Sequence, residues 1–271
     1  MIKPGLRLSV VGVALVLIWI GHGPLPGQTP APIIVENPET PKYVGKEAPE
    51  LIFKKEFSIP LPGRRYSFDV DDSGNIYLLE SLAGRIFVYD KDGRLKNEFG
   101  KKGQGPGEFE IAVFLAVSKD RRIHVMDRIR RTIQIFDAQG KWLEGRLLPS
   151  VGMMNSLRFD SRGFAYVQNA MNLFALKDKE RIRRGVAWLS RLSKYDRTFE
   201  KSIEIQVWDS AFLRRVSSGG YNFVLYHDVF YYQAVEDDSL YYGNSSAYEI
   251  RRMNSEGQVT KIIRKKGARL P

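Results

Sequence analysis

Residues 71–100 read DDSGNIYLLESLAGRIFVYDKDGRLKNEFG, and residues 118–147 read SKDRRIHVMDRIRRTIQIFDAQGKWLEGRL. A shift of 47 residues lays the first on the second without a gap. Tyr77 falls on His124, Glu80 on Asp127, Ile86 on Ile133 and Val88 on Ile135. Tyr89 falls on Phe136, Asp90 on Asp137 and Gly93 on Gly140. Two β-like runs, the loop between them and an Asp-x-x-Gly turn recur in register, which marks an internal repeat.

Two further copies follow. DSRGFAYVQN, from Asp160, places Gly163 on Gly74 and Tyr166 on Tyr77. Its second half, SKYDRTFEK from Ser193, comes about 17 residues late, so an insertion is expected at about 170–191. EDDSLYYGNSSAYEIRRMNSEGQV, from Glu236, restores the spacing, with Gly257 at the turn. Each unit reads as strand, loop, strand, turn, strand, plus a linking strand, in ~40–50 residues, the signature of a β-propeller blade. The expected fold is all-β: a β-propeller of four-stranded antiparallel blades over residues 51–271, with four units countable.

Between the first two units lies FGKKGQGPGEFE (99–110). A phosphate-cradling loop would close on Gly-Lys-Ser/Thr and open a helix, and this segment does neither. The glycines read as punctuation, letting the backbone turn between one blade and the next.

The stretch GNIYLLESLAGRIFVYDKDGRLKNEFGKKGQGPGEFE resembles an NHL repeat, with Glu80 where an Asp is usual and His124 in place of Tyr in the second unit. The resemblance covers about residues 57–260 and implies a six-bladed propeller of the secreted bacterial kind. Against six blades, only four units can be counted, and the chain ends in IIRKKGARLP, like the entry to a fifth. The propeller is therefore expected to lack its last blades. LIFKKEFSI (51–59) is expected to be an N-terminal strand completing a final blade.

Ahead of the repeats, Lys3 and Arg7 precede the apolar run SVVGVALVLIWI (9–20) and a small-residue exit, so residues 1–31 read as a secretory signal peptide. The alternative is an uncleaved membrane anchor, for which the run is short. Residues 32–50, holding four prolines, read as an extended linker. The expected location is secreted or periplasmic, with membrane attachment only if the segment stays uncleaved.

Cysteine is absent, which excludes disulfides, thiolate metal sites, cysteine nucleophiles and a lipidated cysteine. The formal net charge is +11, a balance that favours polyanionic neighbours. For an exported chain those are an acidic polysaccharide or other anionic envelope component, with no nucleic acid expected.

Catalytic chemistry finds little support. His22 leaves with the signal, His124 reads as a packed strand residue, and His227 beside Asp228 is a weak metal candidate. The resemblance brings zinc- or calcium-dependent propeller enzymes to mind, but two histidines do not make a three-His zinc site. Glu80, Asp127, Asn169 and Asn244 recur once per unit where a Ca²⁺ ring could form, yet they more simply cap turns. No cofactor is expected, with calcium or another divalent metal as the alternative. The acid pairs Asp71–Asp72 and Asp237–Asp238 read as turn residues.

Basic clusters are the remaining signal. Arg128, Arg130 and Arg131 lie in the second unit's loop; Lys177, Lys179, Arg181, Arg183 and Arg184 lie in the insertion with Phe174 and Trp188. Such residues suit a recognition loop. The expected function is a non-catalytic binding or scaffold propeller of the bacterial envelope, engaging a protein or acidic glycan. The alternatives are a metal-assisted lyase or lactonase using the central channel, and a fragment without independent function.

Overall fold

The computed structural model of the chain describes residues 31–37, 57–59, 65–148, 152–184, 186–215, 221–224, 233–234, 238–244 and 249–265. Most of the segments read from sequence as signal peptide and linker, and the pair His227 and Asp228, lie outside the described residues.

Strand β1 (Ile33–Asn37) comes first. Blade one follows as β2 (Tyr66–Val70), β3 (Ile76–Glu80), β4 (Arg85–Tyr89) and β5 (Leu95–Phe99). A short parallel pair, β6 (Lys101–Lys102) and β7 (Glu108–Phe109), forms within the glycine-rich link. Blade two is β8 (Ala112–Val117), β9 (Ile123–Asp127), β10 (Thr132–Phe136) and β11 (Trp142–Leu147). Blade three is β12 (Met153–Phe159), β13 (Ala165–Asn172), β14 (Val186–Tyr195), β15 (Ser202–Arg215) and β16 (Tyr221–Val224). Two short helices, α1 (Leu173–Leu176) and α2 (Lys179–Arg183), join β13 to β14. Blade four is β17 (Gln233–Ala234), β18 (Leu240–Asn244), β19 (Glu249–Met253) and β20 (Val259–Lys265).

Within each blade, neighbours in sequence pair antiparallel. The repeat is explicit in the registers: Tyr77 faces Val88 in blade one, and His124 faces Ile135 in blade two. First strands lie beside first strands, so β2, β8, β12 and β17 form the inner layer. Two hydrogen bonds tie it together, Leu115 N donating to Ser67 Oγ at 3.0 Å and Val117 N to Asp69 Oδ2 at 2.9 Å.

Burial explains the composition of the strands. The second and third strands are largely buried and are nearly continuous apolar runs: IYLLE and RIFVY in blade one. The outer strands β5 and β11 are largely exposed and mix polar with apolar residues. The core is a series of layers between blades. Leu79, Ile86, Leu115 and Phe136 fill the first, and Ile133, Leu157, Val167 and Phe199 the second. Tyr166, Leu192, Leu240 and Tyr242 fill the third. No blade could bury these faces alone.

Three expectations are corrected. Residues 57–59 are not strand, and the rest of LIFKKE lies outside the described residues. The N-terminal strand is β1 instead, which adds parallel to β20 with Val35 opposite Ile263. Blade four thereby has five strands rather than four, and blade three also has five because β16 pairs with β15. The insertion is not a loop: it lengthens the β13–β14 hairpin, with Asn172 opposite Trp188, and carries α1 and α2 at its tip. Leu173, Met171, Val186 and Leu189 pack into a small core of their own beneath it.

Candidate functional site

Up-and-down strands put the first and third turns of each blade at one end, here the near end. The turn between second and third strands, and the links between blades, lie at the far end.

Near-end turns follow one design. The first residue is Asp or Asn, and its Oδ1 accepts from the backbone N–H groups two and four residues on. Asp71 accepts from Ser73 and Asn75, Asp90 from Asp92 and Arg94, and Asp137 from Gln139 and Lys141. Asp160, Asp196 and Asn254 repeat the pattern. The fourth residue has positive φ, a glycine in most turns. The acids read from sequence as turn formers have that role in Asp71. Among these carboxyls, Asp71 titrates below the usual range despite burial, through Asn75 and Tyr77, and Asp90 does so through its backbone donors.

Blade two departs from the design. Its first turn starts with Ser118, and its strand carries His124 where the other blades place Tyr77 and Tyr166. Two smaller side chains leave space. A cleft of about 250 Å³ opens there, lined by Ser118, Lys119, Asp120, Arg122 and His124 of blade two and by Phe159, Ser161, Arg162, Gly163 and Arg197 of blade three.

His124 forms part of the cleft floor, its ring centroid 4.3 Å from that of Phe159. Its Nδ1 lies 3.2 Å from the Arg122 carbonyl oxygen, which can only accept, so Nδ1–H donates. Burial pushes its pKa down to about 4, against the opposing pull of Asp120, so the ring is neutral at pH 7. Ser118 Oγ donates to Asp120 Oδ1 at 2.6 Å, not to the histidine. The pair is therefore not arranged as nucleophile and base.

The rim is cationic. Arg122 pairs with Asp120 at 3.1 Å, Lys119 with Asp72 at 2.6 Å, and Arg162 with Asp238 at 3.2 Å. Arg197 has no ion pair among the described residues. The arrangement offers guanidinium donors at the mouth and a flat aromatic floor, which suits an anionic group attached to a compact ring or chain.

Residues 68–264 match the family described as "DUF5128: 6-bladed beta-propeller". The chain belongs to that family. Over 78 residues it is also 32% identical to NHL repeat-containing protein 3 of Homo sapiens, which covers 27% of this chain and 22% of that protein. Among solved structures, a putative exported protein of Bacteroides fragilis is 16% identical over 88% of this chain and 62% of its own chain, with a TM-score of 0.49. Virginiamycin B lyase from Staphylococcus aureus is 14% identical over 73% and 69%, with a TM-score of 0.40. The propeller thus spans less than two thirds of these first two relatives' lengths.

In this DUF5128 propeller, the basic residues singled out from sequence, and Trp188 with them, lie toward the far end, away from the cleft, whereas His124 lies in the cleft itself. Arg128, Arg130 and Arg131 form the far-end turn of blade two, and Lys177, Lys179, Arg181, Arg183 and Arg184 the tip of blade three. Arg181 is committed internally, to Asp178 at 3.0 Å and Asp209 at 3.3 Å. Arg183 pairs with Glu180 at 2.9 Å. Trp188 is a half-buried residue of β14, not a loop residue.

The once-per-unit acids are structural. Asp127, fully buried, accepts from the N–H groups of Glu110, Ile129 and Arg130 at 2.7, 3.0 and 3.2 Å. Asn169 lies inside the lengthened hairpin rather than at a turn. Among the described residues, no three His, Asp or Glu side chains converge as a metal site would require, and no helix is long and apolar enough to cross a membrane. Sequence reading missed Lys119, Arg122, Arg162 and Arg197. The signal was there, in the paired loss of the turn Asp and the strand Tyr in unit two.

Proposed function

We propose that this propeller is a non-catalytic binding protein of an exported compartment, and that its near-end cleft takes the acidic groups of a glycan or of a protein partner. The observation that carries this reading is the cleft itself: four cationic side chains around an aromatic floor, opened by replacements found in blade two. The net charge of +11 brings polyanions toward it.

Calorimetric titration of the full chain with oligogalacturonate and with an oligoglutamate peptide tests the reading. Binding to at least one is expected, weakened about tenfold or more by Arg197→Ala, since a charge-assisted hydrogen bond contributes roughly 1.5–3 kcal/mol. Binding that Arg197→Ala and Arg122→Ala leave unchanged, or no binding to either polymer, would refute it.

A further inference from the structure

The two ends differ in what their turns expose. At the near end, the central pairs of seven turns are Asp72–Ser73, Lys91–Asp92, Lys119–Asp120, Ala138–Gln139, Ser161–Arg162, Arg197–Thr198 and Ser255–Glu256, none with a large apolar side chain. At the far end, three successive blades each raise one aliphatic residue at the tip. Leu82 is 59% exposed, Ile129 54% and Leu176 40%. Leu82 and Ile129 occupy the same repeat position, each within a turn closed by a residue of positive φ, Gly84 and Arg131. A large aliphatic at a turn tip gains little from folding, because about half of it stays in contact with water.

Two of these aliphatics, Ile129 and Leu176, stand among cations. The 128–131 turn has three arginines and no acid, and the 177–184 tip has five bases against two acids. Asp178 and Glu180 are already paired with Arg181 and Arg183. Below the tip, Leu173 is fully buried, so the helical turn that exposes Leu176 is held by its own core.

We propose that the far end of the propeller seats on an anionic lipid bilayer, with Leu82, Ile129 and Leu176 entering the headgroup boundary and the surrounding bases contacting lipid phosphates. Charge complementarity selects this occupant. Separate aliphatic points, two of them flanked by Lys and Arg, match a surface that is apolar beneath and negative above, whereas a protein interface would want a contiguous apolar centre. The cleft then faces away from the bilayer. The proposal does not depend on what the cleft binds.

The chain has no cysteine, so a single introduced thiol reports cleanly. An environment-sensitive fluorophore would be attached to Ile129→Cys, to Leu82→Cys and, as the near-end control, to Gln139→Cys. Full-length protein would be mixed with vesicles of phosphatidylglycerol and phosphatidylcholine, or of phosphatidylcholine alone. The proposal expects a blue shift and protection from iodide at positions 129 and 82 on the anionic vesicles only, and none at 139. Arg128→Glu with Lys179→Glu should lower partitioning at least tenfold, because each basic side chain near such a surface contributes about fivefold. Equal shifts at all three positions, no shift at 129, or a response to soluble oligogalacturonate in place of vesicles would each overturn it.

Discussion

The Tyr77 hydroxyl donates to Asp71 Oδ2 across 3.1 Å, linking a middle strand of blade one to the carboxylate that organises its near-end turn. Tyr166 and Asp160 form the same bond in blade three, at 3.4 Å. Burial and the adjacent Asp71 charge push the Tyr77 pKa up to about 12, and Tyr166 is raised by the same causes. The two aspartates are not equivalent. Asp160 is fully buried and also holds Lys194, at 3.4 Å, and Arg162. Asp160→Ala should cost about 3 kcal/mol by urea denaturation, because it strands a nearly buried ammonium. Asp71→Ala, with no such cation, should cost about 1 kcal/mol.

His124 makes stability depend on pH. Its pKa is 6.5 when unfolded and about 4 when folded. Between those values the unfolded chain binds the extra proton, so folding is favoured above pH 6.5 and the advantage is lost as pH falls toward 4. The change is roughly 3 kcal/mol across the window. A series of melts from pH 7 to pH 4.5 should show it, and His124→Tyr combined with Ser118→Asp should flatten the profile while closing the cleft. An unchanged slope in the double variant would show that other groups set it.

Gly140 and Gly257 hold the same turn position with φ of +82° and +87°. A Cβ on Gly140 would lie 2.4 Å from the Phe99 ring, which covers it from blade one, whereas Gly257 has open space. Gly257→Ala should cost about 1–2 kcal/mol, the penalty of left-handed backbone alone. Gly140→Ala should cost clearly more, because a packed aromatic ring must also move. Equal losses in thermal melts would mean that Phe99 yields freely.

Asp127 and Glu80 also share a repeat position. Asp127 satisfies buried backbone donors in its own turn and in the preceding link, while Glu80 pairs with the half-exposed Arg85 at 3.3 Å. Asp127→Ala should destabilise by about 3 kcal/mol and Glu80→Ala by less than about 1 kcal/mol. Denaturant midpoints for the two variants check this difference.

Much of the architecture was legible because the propeller repeats its chemistry. The Asp-x-x-Gly turns and buried apolar strands recur with a fixed period, so a sequence slid along itself reveals the blades. The glycines of 99–110 were equally readable: Gly100 and Gly107 sit at φ of +80° and +74°. The long hairpin of blade three was not legible, since charges at 177–184 mask the small core formed by Leu173, Val186 and Leu189. β1 was missed because IIVEN lies among prolines and pairs with a strand far away in sequence. The cleft escaped for another reason. Lys119, Arg122, Arg162 and Arg197 are scattered singly, and only the turns of two adjacent blades bring them together.

That distant pairing has a consequence for how the molecule is made. Glu36 and Arg264, bonded across β1 and β20, are 228 residues apart. During synthesis β1 emerges before any blade, and its partner only after all four described blades have been translated. Its closure carries a larger loop-closure entropy cost than the hairpin pairings within each blade, which favours blades that form first and an N-terminal strand that docks onto an assembled edge. Until then, blade four offers β20 as an open template for any other extended chain.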